Sequence, residues 1–157
     1  MKKTILIAFD DSDNSMRAVE FVGAHFSSDF NVVLFCVFDD TESLYSMNTP
    51  ELSAYFLEQQ DFFGALKEKQ KKLLNTSLER TKETLINCGF HSDSVTTKLK
   101  KIHRGVARDI IHEANKGDYN MIALGRRGLS GIKEFFLGSV SQKVLHGVRD
   151  STFLIID

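Results

Sequence analysis

Met121-Ile122-Ala123-Leu124-Gly125-Arg126-Arg127-Gly128, nine further residues and then Gly138-Ser139 form the stretch on which the reading of this chain turns. The apolar run before Gly125 has the composition of a buried strand. Val140 to Val148 has the amphipathic spacing of a helix. The order is therefore strand, long glycine-punctuated loop, helix. Glycines let backbone approach a ligand closely, and the first turn of a helix offers N–H groups without intrahelical acceptors to an anion. The stretch is a candidate cradle for nucleotide phosphates.

Outward from it, strands and helices alternate. Thr4 to Phe9 is apolar without alternation, as expected of a central strand buried on both faces. Asp10 to Ser15 is rich in helix-capping types, and Met16, Val19, Phe21, Val22 and Phe26 follow at near-helical spacing. Asn31 to Phe38 is a second buried strand. Thr41 to Gly64 holds the sole proline, Pro50, and scattered aromatics, and reads as an irregular excursion. From Ala65 to Cys88, Leu66, Leu73, Leu74, Leu78 and Leu85 face one way on a helix, with Gly89 as its C-cap. Val95 to Ile102 alternates, as a more peripheral strand does. Gly105 precedes a helix carrying Val106, Ile110, Ile111 and Ala114; Tyr119 to Leu124 and Thr152 to Ile156 are the fourth and fifth strands.

Such alternation predicts an α/β fold: a parallel sheet with right-handed crossovers and helices on both faces. Ligands of these sheets sit beyond the strand carboxyl ends, where strand order reverses. If strands one and four are neighbours there, Asp10 and Gly125 flank one crevice.

The totals narrow the function. At 157 residues, 42% hydrophobic and 26% charged, the chain is expected to be one soluble domain, residues 1–157. A net charge of −1 speaks against nucleic acid as a partner, because no cationic excess exists to neutralise phosphates in number. Cys36 and Cys88, without a CxxC, suit neither a disulfide framework nor a zinc site, and fit a reducing cytoplasm. Met1-Lys2-Lys3 and the apolar run after them mimic a signal sequence, but Asp10-Asp11 cuts that run short, and no stretch approaches a membrane span. The histidines are scattered, so no metal site is expected; His103, after the third strand, is the one placed to approach the crevice. There is no GxSxG and no GxxxxGK[ST], and the loop carries no carboxylate except Glu134. No catalytic residue is assigned.

With Gly125, Gly128, Gly138 and Ser139 in this spacing and Asp10 ending the first strand, followed by Asp11-Ser12, the chain resembles the universal stress protein family in its nucleotide-binding branch. The resemblance covers nearly the whole chain. It implies a three-layer sandwich of the adenine nucleotide alpha hydrolase-like type, with a five-stranded parallel sheet in the order 3-2-1-4-5. It also implies binding of ATP, AMP or ADP, with or without Mg²⁺, and pairing into homodimers through the last strand, 152–156. Asp10, flanked by Ala8 and Ser12, would meet the nucleoside end, and Val37 would offer backbone hydrogen bonds to adenine. Gly125, Arg126, Arg127 and Gly128, then Gly138, Ser139 and Val140, would hold ribose and phosphates. Two departures stand out: Asp150-Ser151-Thr152 replaces the cysteine-proline-valine common before the last strand, and Arg126-Arg127 is more basic than usual. The arginines favour polyphosphate if either turns inward.

Blander readings exist for each residue. Asp10 or Ser139 would cap a helix, Gly125 and Gly128 would be turn glycines at positive φ, and Arg126, Arg127 and Lys133 would be solvated loop charges. Phe135-Phe136 would pack onto the core or face a partner. At the level of function, the expectation is a regulatory or stress-protective nucleotide binder without fast catalysis, at most hydrolysing ATP slowly or phosphorylating itself at Ser139 or Ser141. One alternative is a nucleotide-free homodimeric interaction protein of the same fold. The other is a response-regulator receiver, which the acidic pair Asp10-Asp11 mimics but which needs a phospho-accepting Asp where Ile102-His103-Arg104 stands.

Overall fold

A computed structural model describes residues 3–26, 28–39, 60–127 and 137–157. Gly128, Lys133, Glu134, Phe135-Phe136 and positions 41–59 of the expected excursion lie outside the described residues. The elements are β1 (Lys3–Ala8), α1 (Asp13–His25), β2 (Phe30–Phe38), α2 (Gln60–Asn87), a 3₁₀ turn (Ser92–Ser94), β3 (Val95–Lys101), α3 (Val106–Lys116), β4 (Met121–Gly125), α4 (Ser139–Gly147) and β5 (Thr152–Ile156).

The strands form one parallel sheet in the order β3-β2-β1-β4-β5. β1 pairs with β2 on one side and β4 on the other, Ala8 lying opposite both Phe35 and Leu124. That order removes the receiver reading, since receivers use the flavodoxin-like order 2-1-3-4-5.

Period-two side-chain alternation divides each central strand between two cores. Ile5, Ile7, Val32, Leu34, Cys36 and Ala123 face Val19 and Val22 of α1 and Leu78 and Leu85 of α2. Leu6, Val33, Phe35, Ile122 and Leu124 face Ile110 of α3 and Val144 of α4. This double burial explains why β1 and β2 read as unbroken apolar runs; Ile5, Leu6 and Ile7 have no solvent exposure.

α2 starts at Gln60, earlier than the expected Ala65, so the excursion does not reach Gly64. Its end is as expected: Gly89 has φ +104, and its N–H donates to Ile86 O (2.9 Å) while Phe90 N–H donates to Leu85 O (3.2 Å). The unusual approach to β5 is accommodated too. Ser151 Oγ donates to Tyr119 O (3.0 Å) and Thr152 N–H to Asn120 O (3.0 Å), bringing the last strand in beside β4.

Candidate functional site

The switch point of strand order falls between β1 and β4, and a cleft of about 330 Å³ opens there at the strand carboxyl ends. Its floor is Ala8 at the end of β1 with Phe9 and Asp10 after it, Cys36 to Asp39 at the end of β2, and Leu124-Gly125 of β4. Gly138, Ser139, Val140 and Ser141 enter from α4, with Arg127 from the loop after β4. The two suspicious stretches of the sequence thus share one cavity.

β2 outruns β1, and this exposes backbone. Phe9 N–H donates to Phe35 O (2.8 Å), so the Phe35 carbonyl points toward β1; Ile102 N–H donates to Phe38 O (2.9 Å), so that carbonyl points toward β3. Polar groups alternate sides along a strand. Val37 N–H and C=O therefore point to the β1 side, two residues beyond Ala8's partner Phe35, where β1 has ended. The cleft receives one backbone donor and one acceptor.

Asp10 does not cap α1. Ser12 does: its Oγ accepts from Ser15 N–H (3.2 Å). Asp10 stands behind that cap, Oδ1 accepting from Ser12 N–H (3.1 Å) and from Ser12 Oγ. Its Oδ2 has no hydrogen bond to a described residue and belongs to a side chain lining the cleft. Ser12 itself, 9% exposed, supports Asp10 and is not part of the lining.

Gly125 has an unforeseen reason to be glycine. It is not at positive φ; rather, a Cβ there would meet the backbone of Asn14 in α1 at 2.7 Å. Its carbonyl accepts from Ser141 Oγ (2.8 Å), which ties β4 to α4 and commits that buried hydroxyl inward. Ser139 is exposed and lines the cleft, and the N-cap of α4 is Gly138 rather than Ser139. Gly138 N–H donates to Arg126 O (2.8 Å), and no side chain caps the helix. The first-turn N–H groups at this end of the cleft thus have no intrahelical acceptor.

The two arginines part company. Arg126 Nε pairs with Asp157 Oδ1 (2.7 Å) beyond β5 and does not line the cleft, whereas Arg127 does. His103 stays outside; its backbone N–H donates to Asp109 Oδ2 (2.7 Å), as does that of Arg104 (3.1 Å). Burial disfavours charge on Asp109, which is 2% exposed. The His103 and Arg104 N–H donors and the nearby Lys100 charge more than offset this, holding its carboxyl below the usual aspartate value. Asp109 thereby fixes the turn that leads into α3 beside the cleft.

Lining residues from the crossover helices escaped the sequence reading: Gln70 and Leu74 of α2, and Val106 and Ile110 of α3. Only Gln70 left a trace, as a polar residue one turn before Leu74 on the inward stripe. Among the described residues, no group of three His, Cys, Asp or Glu side chains is placed to hold a metal ion, and no helix is long and apolar enough to cross a membrane.

A parallel sheet covered by helices on both faces, with its cleft at the switch point, defines a Rossmann-like α/β protein. The chain belongs to the universal stress protein family, whose model matches residues 1–152. It is 27% identical over 144 residues to the universal stress protein YxiE of Bacillus subtilis, covering 92% of each chain. Among solved structures, the universal stress protein UspA from Lactobacillus plantarum matches with a TM-score of 0.73 at 16% identity, over 99% of this chain and 98% of that one. The universal stress protein from Archaeoglobus fulgidus in complex with dAMP matches with a TM-score of 0.59 at 17% identity, over all of both chains.

Proposed function

We propose that this protein binds an adenine nucleotide, ATP or its mono- or diphosphate, in the cleft between β1 and β4, and works as a regulatory binder without fast turnover. The observation that carries the reading is the contrast between two helix starts at one cavity. α1 is closed by Ser12, while α4 has no side-chain cap and presents its first turn beside Arg127. An anion is what such a start and such a cation accept.

The remaining contacts follow in order along the cleft. Val37 N–H and C=O suit the acceptor N1 and the donor amino group of adenine. Asp10 Oδ2 suits a ribose hydroxyl. Gly138, Ser139 and Val140 suit the phosphates, and the spacing of the glycine motif assigns Gly128 to the same ligand. The dAMP complex of the Archaeoglobus relative supports an adenine nucleotide as the ligand class. Of the described lining, the carboxylates are Asp10 and Asp39, both toward the base and ribose. Mg²⁺ would therefore arrive on the polyphosphate, and hydrolysis would lack the positioned base that fast phosphoryl transfer uses. Ser139, not the committed Ser141, would be the acceptor in any self-phosphorylation. The chain works as one domain, in a reducing cytoplasm that suits two free cysteines, and pairs through β5 at the open sheet edge.

Denaturing freshly purified protein and identifying released small molecules by mass spectrometry is the direct test, followed by calorimetric titration with ATP, with and without Mg²⁺. Gly138→Val should lower ATP affinity at least tenfold with little change in melting temperature. No release, and no binding at millimolar ATP, would overturn the reading in favour of a nucleotide-free dimer.

A further inference from the structure

α2 carries its buried side along Leu74, Leu78, Thr81 and Leu85, spaced by three or four residues. One turn earlier the same stripe reaches Gln70, where the core has ended and the cleft begins. A leucine would have continued the pattern. Instead, a carboxamide lines the cavity, with no hydrogen bond to any described residue, while Leu74 beneath it anchors the helix to the core. Val106 and Ile110 line the cleft from α3, on the opposite face of the sheet. The end of β2 therefore opens into a slot with apolar walls from both faces, backbone polar groups at Val37 and a side-chain amide that has no partner among the described residues.

We propose that Gln70 is a specificity-determining residue that reads the base of the bound nucleotide from α2. The inference rests on the nucleotide reading above and deepens it. The backbone of Val37 supplies one donor and one acceptor, enough for N1 and one amino hydrogen of adenine. That leaves the second amino hydrogen and N7, a donor and an acceptor side by side. A glutamine amide is the side chain that matches this pair in both senses, Oε1 accepting and Nε2 donating. Guanine presents two acceptors on the same edge, O6 and N7, which leaves Oε1 facing an oxygen. Gln70 thus adds discrimination that the Val37 backbone by itself supplies only in part.

The test uses the full chain, ATP and 7-deaza-ATP, which differs by the loss of N7. Affinities are measured by calorimetry for the native protein and for Gln70→Ala, an exposed substitution whose fold is checked by circular dichroism. The native protein should bind 7-deaza-ATP about five- to tenfold more weakly than ATP. In Gln70→Ala that ratio should fall to about one, with ATP itself weakened by a similar factor and the preference for ATP over GTP reduced. ATP binding with the same ratio in both proteins overturns the role of Gln70 and leaves the cleft reading standing. Failure of the native protein to bind ATP overturns both.

Discussion

Gly125→Ala puts the junction of β4 and α1 to a test in which two effects have opposite signs. Judged by chain entropy, alanine in place of a glycine that does not need positive φ should stabilise by about 0.4–1 kcal/mol. The packing says otherwise. The new Cβ would lie 2.7 Å from the Asn14 carbonyl carbon and 2.9 Å from both Asn14 Cβ and O. Carbon atoms rest about 3.5–4.0 Å apart, so relief needs roughly 1 Å of separation between the strand end and the first helical turn. Neither side yields easily: α1 is seated by fully buried Ala18, Val19 and Val22, and Gly125 by its pairing with Ile156 and the bond from Ser141. Overpacking costs about 1–3 kcal/mol, and a backbone obstacle places this case near the upper end, well above the entropic gain. With a urea m-value of about 2 kcal/mol/M, the unfolding midpoint should drop by about 1 M. The chain has no tryptophan, so far-UV circular dichroism is the probe. Ser139→Ala, at an exposed position, serves as the control and should move the midpoint by no more than about 0.2 M. A Gly125→Ala midpoint equal to or above native, at unchanged m, would refute the argument from close approach.

Further expectations concern charge, thiols and assembly. Asp109→Asn should cost about 1–3 kcal/mol at pH 7, because a neutral amide replaces a buried carboxylate that accepts from His103 and Arg104 N–H. The native carboxyl is depressed, so its contribution is present above the unfolded aspartate value of about 3.9 and is lost as pH falls through the lower folded one. Melting temperatures of native and variant should therefore converge in strong acid; a pH-independent gap would contradict this. Burial, with Asp10 and Asp11 adding to it, pushes the Cys36 thiol up to about 12. Iodoacetamide at pH 8 should label exposed Cys88 and spare Cys36 in the folded protein, and equal labelling of both by peptide mapping would be contrary. The same raised value means that Cys36 favours the fold below the unfolded thiol value of about 8.5 and that this contribution wanes as pH rises toward 12. If β5 pairs with a second copy, Ile155→Lys, at a position 39% exposed on the edge strand, should convert a dimeric mass by light scattering into a monomeric one. Dimeric mass in the variant would move the interface elsewhere.

Much of this molecule is written locally in the chain. The runs at Ile5 to Ile7 and Val32 to Cys36 are apolar at every position because both sheet faces are covered, and that reads directly as central strands. Ser12 and Gly138 are recognisable because helix starts demand particular residue types, and Asp10 and Gly125 because each stands where an apolar strand ends. The alternation of strand and helix dictates a parallel sheet, since a parallel return needs a crossover. Which strands lie side by side, however, depends on how far each crossover carries the chain, and only the folded sheet sets β4 beside β1. The directions of the Val37 backbone groups, the parting of Arg126 from Arg127 and the replacement of Asp10 by Ser12 as the cap are likewise tertiary facts. Each depends on where a neighbouring strand stops or a distant partner such as Asp157 comes to rest. The helix walls of the cleft were the least legible part. Gln70 and Ile110 lie far apart in sequence, on helices over opposite sheet faces, and share a cavity because both pass the end of β2.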